Sequence, residues 1–192
     1  MKSEEPIVKT KRILCSLLAI LPWMPRIASA GLLPPVPPVK YPFDASRAGS
    51  ALDEEFRVVE YRAYYFDLRF EFVGEDDLDR VAKLVGRGAT YSDGRYATPG
   101  VIVPVQLKIV RIGVKSDTGV LFDKTVESQG IYSVGYTGQK LNGDFRRRVA
   151  TVQLKPGLYR FQAMTLKDVP EFIGTPSHFA ISFNPKIVYP QE

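Results

Sequence analysis

Cysteine, histidine and tryptophan are nearly missing: the 192 residues hold one of each. Cys15 and Trp23 both fall in the first thirty residues, which leaves His178 as the one such residue further on. A lone cysteine forms no internal disulfide, and a lone histidine forms no two-imidazole metal site within one chain. A Ser-His-Asp arrangement would need His178 as its base, and no G-x-S-x-G turn accompanies it. Gly86-Arg87-Gly88 precedes a loop and not a helix, so phosphate loops and dinucleotide fingerprints are missing too. No metal or cofactor is expected. The longest apolar run falls short of the about 20 residues that span a membrane.

That run lies in a leader. Lys9, Lys11 and Arg12 precede the apolar residues 13–21, and Ala28-Ser29-Ala30 ends the segment with the small-x-small pattern of a cleavage site. Residues 1–30 therefore read as a signal peptide cleaved before Gly31, and the location as periplasmic or secreted. Cys15 stands near the start of the apolar run instead of after it, so lipid anchoring is not expected and membrane contact is at most peripheral. Cleavage removes five basic and two acidic residues, which lowers the net charge from +5 to +2. The basicity is largely a targeting feature, and a nucleic-acid partner is not expected.

What is present in quantity is aromatic and β-branched. In Arg62–Val73 (RAYYFDLRFEFV), Tyr64, Phe66, Leu68, Phe70 and Phe72 recur at every second position. Tyr65, Asp67, Arg69 and Glu71 alternate with them. Period two is the mark of a strand with one buried and one wet face; a helix would scatter these side chains around its circumference. Asp67 and Glu71, with Arg69 between them, read as a solvated sheet face.

Before this strand, residues 31–52 begin Pro-rich (GLLPPVPPVKYP) and read as an extended linker, with the domain at 53–192. After it, Leu78, Val81, Ala82 and Val85 take helical spacing behind Asp76 or Asp77 as cap, and Gly86 closes the helix. Acidic residues 75–77 and 79 suit the helix dipole; the run continues with Arg80, unlike a calcium loop. Residues 101–112 resume the alternation, and Pro104 predicts an edge position or a bulge. Residues 120–126 follow as the hairpin partner. Leu154-Lys155-Pro156-Gly157-Leu158-Tyr159 has the L-x-P-G-x-Y form found where sandwiches turn from one sheet to the other. Phe179, Ile181 and Phe183 mark a last strand. Seven to nine short strands with one short amphipathic helix predict an all-β, antiparallel β-sandwich, immunoglobulin-like or jelly-roll-like.

Candidate contact residues come from two sources. Tyr91, Tyr96, Tyr132 and Tyr136 lie in two Gly-rich stretches read as loops, the second (129–144) with room for a short strand at 131–134, and there tyrosine supplies a rigid amphipathic surface. Arg146, Arg147 and Arg148 form the sharpest charge run; in a strand Arg146 and Arg148 share one side and Arg147 takes the other.

Several stretches resemble an uncharacterised bacterial domain family found in exported and lipoprotein-like proteins. They are residues 61–70 (YRAYYFDLRF), 103–109 (VPVQLKI), 154–161, 166–171 (LKDVPE) and Gly174-Thr175-Pro176. The resemblance implies a β-sandwich and brings no catalytic residues with it. The sequence thus leads to a non-enzymatic envelope protein that binds a macromolecular partner, one case being an immunity or inhibitor protein against an envelope-delivered toxin. Two other readings stay open: a carbohydrate-binding module with a glycan on the four tyrosines, and a hydrolase of unknown class.

Overall fold

The structure, a computed structural model, describes residues 33–86, 98–113, 119–138, 141–187 and 189. Alternating apolar positions set most of its strands: β1 (Val39–Pro42), β2 (Ala51–Val58), β3 (Arg62–Val73) and, after helix α1 (Glu75–Val85), β4 (Val103–Arg111). The chain continues through β5 (Val120–Ser128), β6 (Ser133–Thr137), β7 (Asn142–Leu154), β8 (Gly157–Thr165) and β9 (Ser177–Phe183). They form a five-stranded sheet in the order β1-β9-β3-β7-β6 and a four-stranded sheet in the order β2-β8-β4-β5. Every pairing is antiparallel, so the chain is an all-β sandwich with one helix, as the alternation predicts.

β3 lies in the middle of the larger sheet, between β9 and β7. Tyr64, Phe66, Leu68, Phe70 and Phe72 are all buried in one core. Phe66 meets Phe56 and Phe161 of the opposite sheet edge-on, and Phe161 stacks on Phe179 at 5.5 Å. Burial of five such side chains contributes roughly 1.5–3 kcal/mol each.

Four expectations need correction. First, the linker ends sooner than residue 52: Val39–Pro42 pairs with β9 as an edge strand, and Phe43 and Ala45 are buried in the core. Second, β4 is not an edge strand; β8 and β5 flank it. Pro104 lies in register with Leu166, whose amide donates to its carbonyl at 3.0 Å; the N–H that proline lacks would return that bond, and the ladder with β8 ends at Val105. The edge strands of this sheet are β2 and β5, and β5 carries Lys124 opposite the buried Leu107, a charge placed where an added strand would bury it.

Third, Gly74 caps α1, with φ 83° and no side-chain bond. Asp77 is occupied elsewhere, accepting from the Val73 amide at 2.9 Å and from Arg80 at 2.7 Å. Gly86 closes the helix at φ 87°, as its sequence position predicts. Fourth, the short strand read at 131–134 in the second loop stretch lies at Ser133–Thr137 instead, as β6, hairpin partner of β7.

The L-x-P-G-x-Y turn behaves as its pattern predicts. It carries the chain from β7 in the larger sheet to β8 in the smaller one, and the Tyr159 hydroxyl donates to the Lys155 carbonyl at 2.6 Å.

Candidate functional site

The outward face of the five-stranded sheet gathers the chemistry. A β-bulge interrupts the β3–β7 register between Phe66 and Asp67, so that Phe66 faces Ala150 and Asp67 faces Arg148. Asp67 is 0 % exposed, contrary to the solvated reading of this face. Its neighbours bury it: the Arg148 Nε donates to Oδ1 at 2.6 Å and the Tyr132 hydroxyl donates to Oδ2 at 2.6 Å. The Arg148 guanidinium lies between two rings, 3.8 Å from the Tyr65 centroid and 4.1 Å from that of Tyr132. Its Nη1 donates to the Thr151 hydroxyl at 3.0 Å, and a quarter of the side chain stays exposed.

Electrostatics follow from this packing. Burial raises the Asp67 carboxyl above its ordinary range, and Tyr132 and Arg148 offset part of that rise. Burial and the adjacent Asp67 charge push the Tyr132 hydroxyl up. Burial works to lower Arg148, yet Tyr132 and Asp67 outweigh it and hold the guanidinium above its usual value. The result is a rigid cation with an aromatic face on each side, the combination that supplies cation–π attraction of about 0.5–2 kcal/mol.

One row further along, His178, Arg69, Arg146 and Ser133 stand side by side on β9, β3, β7 and β6. Asp144 takes a bond from the Arg146 Nε at 2.6 Å and lies 3.5 Å from Arg69. Glu71 accepts from Lys40 at 2.8 Å and lies 3.4 Å from the His178 Nδ1. The Arg69 Nε, the His178 Nδ1 and the Ser133 Oγ are buried and have no hydrogen-bond partner among the described residues. Buried polar atoms are usually paired, and one left unmade costs about 1–3 kcal/mol.

The predicted contact residues divide. Arg146 and Arg148 reach this face, as does Tyr132. Tyr136 is 61 % exposed on β6, where its ring meets that of Phe72 edge-on at 6.0 Å, and it lines with Tyr132 the cavity beside α1. Tyr91 and Tyr96 lie outside the described residues. Arg147 is corrected outright: it is 0 % exposed and points into the sandwich. Its guanidinium donates to the carbonyls of Leu84, Val85, Pro99, Val101 and Ser128, and lies over the rings of Phe70 and Phe172. Arg147 thus ties the C-terminal end of α1 to the residues before β4 and the end of β5.

Sequence reasoning missed Tyr65, Asp67, Arg69 and Ser133 as site residues. An Asp flanked by five large buried positions is a signal of burial, but its partner lies 81 residues away, and only the bulge aligns the two.

A cavity of about 260 Å³ opens beside this face between α1 and β6, lined by Leu78, Ala82, Ile131, Val134, Tyr136 and Phe145 among others. Among the described residues, no cluster of three or more His, Cys, Asp or Glu is placed to hold a metal ion, and no helix is long and apolar enough to cross a membrane.

Fold and face together define a β-sandwich with a charged, aromatic outer sheet. Residues 40–183 match a family model described as a domain of unknown function, DUF5625, and the chain belongs to that family. It is also similar in fold to a crystal structure of a protein from Sulfurospirillum deleyianum, at 22% identity and a TM-score of 0.58, covering 77% of this chain and 98% of that one. No curated protein matches the chain.

Proposed function

We propose that this is an exported, non-enzymatic module that binds a macromolecular partner in the cell envelope through the outer face of its five-stranded sheet. An immunity or inhibitor protein against an envelope-delivered toxin is the case that fits a leader followed by a single sandwich. The observation that carries the reading is Arg148, fixed between Tyr65 and Tyr132 and anchored on the buried Asp67. Preorganised arginine and tyrosine side chains are what binding hot spots are made of, because little side-chain freedom remains to be lost on contact. Strand addition at β5 has less in its favour, since Lys124 guards that edge. The carbohydrate reading has less too: Tyr132 spends its hydroxyl on Asp67 and a ring face on Arg148.

Affinity capture from an envelope extract, with neighbouring gene products included, tests the proposal. The wild-type protein recovers one stoichiometric protein partner, and Tyr65→Ala or Arg148→Ala abolishes recovery, while Lys124→Gln on the other sheet leaves it unchanged. Both face variants are checked for a native circular-dichroism spectrum. Recovery of no protein together with clear glycan binding overturns the reading.

A further inference from the structure

We propose that the segment this face receives is an acidic stretch of a protein, its carboxylates lying along the row His178–Arg69–Arg146–Ser133. This rests on the reading of the outer sheet as a partner-binding face and adds the chemistry of what it binds.

The register brings the row together. Arg69 pairs with His178 on one side and with Arg146 on the other, and Arg146 pairs in turn with Ser133. At about 4.8 Å between strands, the row runs roughly 14 Å across the sheet. A stretch of a few residues covers that distance.

Charge supplies the direction. Lys40, Arg69, Arg146 and Arg148, with His178 when protonated, face three carboxylates, Asp67, Glu71 and Asp144. Each carboxylate is already shared. Asp67 takes Arg148 and Tyr132, Glu71 takes Lys40 with His178 beside it, and Asp144 takes Arg146. Arg69 is left with the longest contact, 3.5 Å to Asp144, and with a buried Nε that bonds nothing among the described residues. The buried Nε is out of reach from outside, but the Arg69, Arg146 and Lys40 side chains stay 16 %, 31 % and 44 % exposed, and there a carboxylate from outside can meet them.

The same interleaving argues for a protein segment over a phosphate polymer. Phosphate chains are held by accumulated positive potential, which alternating carboxylates cancel. Short-range, two-pronged bonds from arginine to carboxylate survive that cancellation, because they depend on geometry at contact distance. Tyr65 and Tyr132 beside the row add the side chains enriched in the cores of protein interfaces.

Fluorescence anisotropy with a labelled hexaglutamate peptide tests this on the purified protein. Arg146→Glu is expected to weaken binding about tenfold and Arg69→Gln severalfold, with Lys124→Glu on the opposite sheet changing it less than twofold. An equal loss in Lys124→Glu means attraction to bulk charge and overturns the proposal. So does inorganic polyphosphate that competes better than hexaglutamate. If the wild-type protein ignores hexaglutamate, the acidic chemistry falls. Partner capture that still depends on Tyr65 and Arg148 then keeps the face, and capture that ignores them removes the face itself.

Discussion

Tyr64 and Tyr159 make the same bond at the same end of the sandwich. Each hydroxyl donates to the carbonyl four residues earlier, Glu60 at 3.0 Å and Lys155 at 2.6 Å. At both places the chain changes sheet, from β2 to β3 and from β7 to β8. The crossovers are neighbours, since Val58 pairs with Gly157 and Arg62 with Leu154. Tyr64→Phe and Tyr159→Phe should each lower stability by about 0.5–1.5 kcal/mol. In thermal melts that is a fall of about 2–4 °C per kcal/mol for a chain of this size. Unchanged melts in both variants would show that the corners close without their hydroxyls.

The faces of β3 separate more sharply. Phe66→Ala, Leu68→Ala and Phe70→Ala remove fully buried side chains and should cost about 2–5 kcal/mol each. Glu71→Ala removes a carboxylate a third exposed and should cost within about 0.5 kcal/mol. Denaturant melts of the purified protein decide it. Equal losses on both faces would mean that the outer face is covered as completely as the inner one.

Strand alternation was legible because it is local: the inward residues of β3, β4 and β9 follow from spacing alone. The corner at Tyr159 was legible through Pro156 and Gly157, whereas the one at Tyr64 was not, because Tyr61-Arg62-Ala63 carries no turn residue. β6 was legible only in part, as a short strand at 131–134, because Gly135 and Gly143 read as loop. In the sheet these glycines leave room for neighbours: a side chain at Gly135 would collide with the Arg146 guanidinium, and one at Gly143 with Phe72. Arg147 and Arg148 look alike in sequence and lie on opposite sides of one strand. What parts them is the tertiary surroundings, five backbone carbonyls for one and a buried carboxylate between two rings for the other. The Asp67–Arg148 contact depends on a bulge between distant segments, and no short-range pattern encodes it.

His178 should give the stability a pH dependence. Burial, then Lys40 on β1, hold its imidazole below the ordinary value of 6.5, with Glu71 and Asp144 pulling the other way and Arg69 adding to the depression. As pH falls through about 6.5 the unfolded chain takes up the proton before the folded one does. Stability contributed by His178 is therefore level above that pH and declines below it. Thermal melts between about pH 5 and 8 should show His178→Gln with a flatter profile than the wild type. Identical slopes would place the imidazole at its ordinary value.

Asp67 and Arg148 should behave as one unit. Asp67→Asn leaves a guanidinium without its carboxylate, and Arg148→Gln leaves a buried carboxylate without its cation, so each alone is destabilising. The double variant should lose less than the sum of the two, by about 0.5–3 kcal/mol in a denaturant cycle. An additive result would mean that the rings of Tyr65 and Tyr132 hold Arg148 without help from Asp67. The pH dependence runs opposite to that of His178. Burial holds the folded Asp67 carboxyl above its unfolded value of about 3.9, so the folded state keeps this proton longer as pH climbs. The stability due to this group is highest below that pH, falls as pH rises through the raised value, and is level beyond it. The margin of the wild type over Asp67→Asn should therefore narrow as pH rises through the acid range. A margin that widens instead would mean that attraction to Arg148 and the Tyr132 hydroxyl outweighs burial, and that Asp67 is held low.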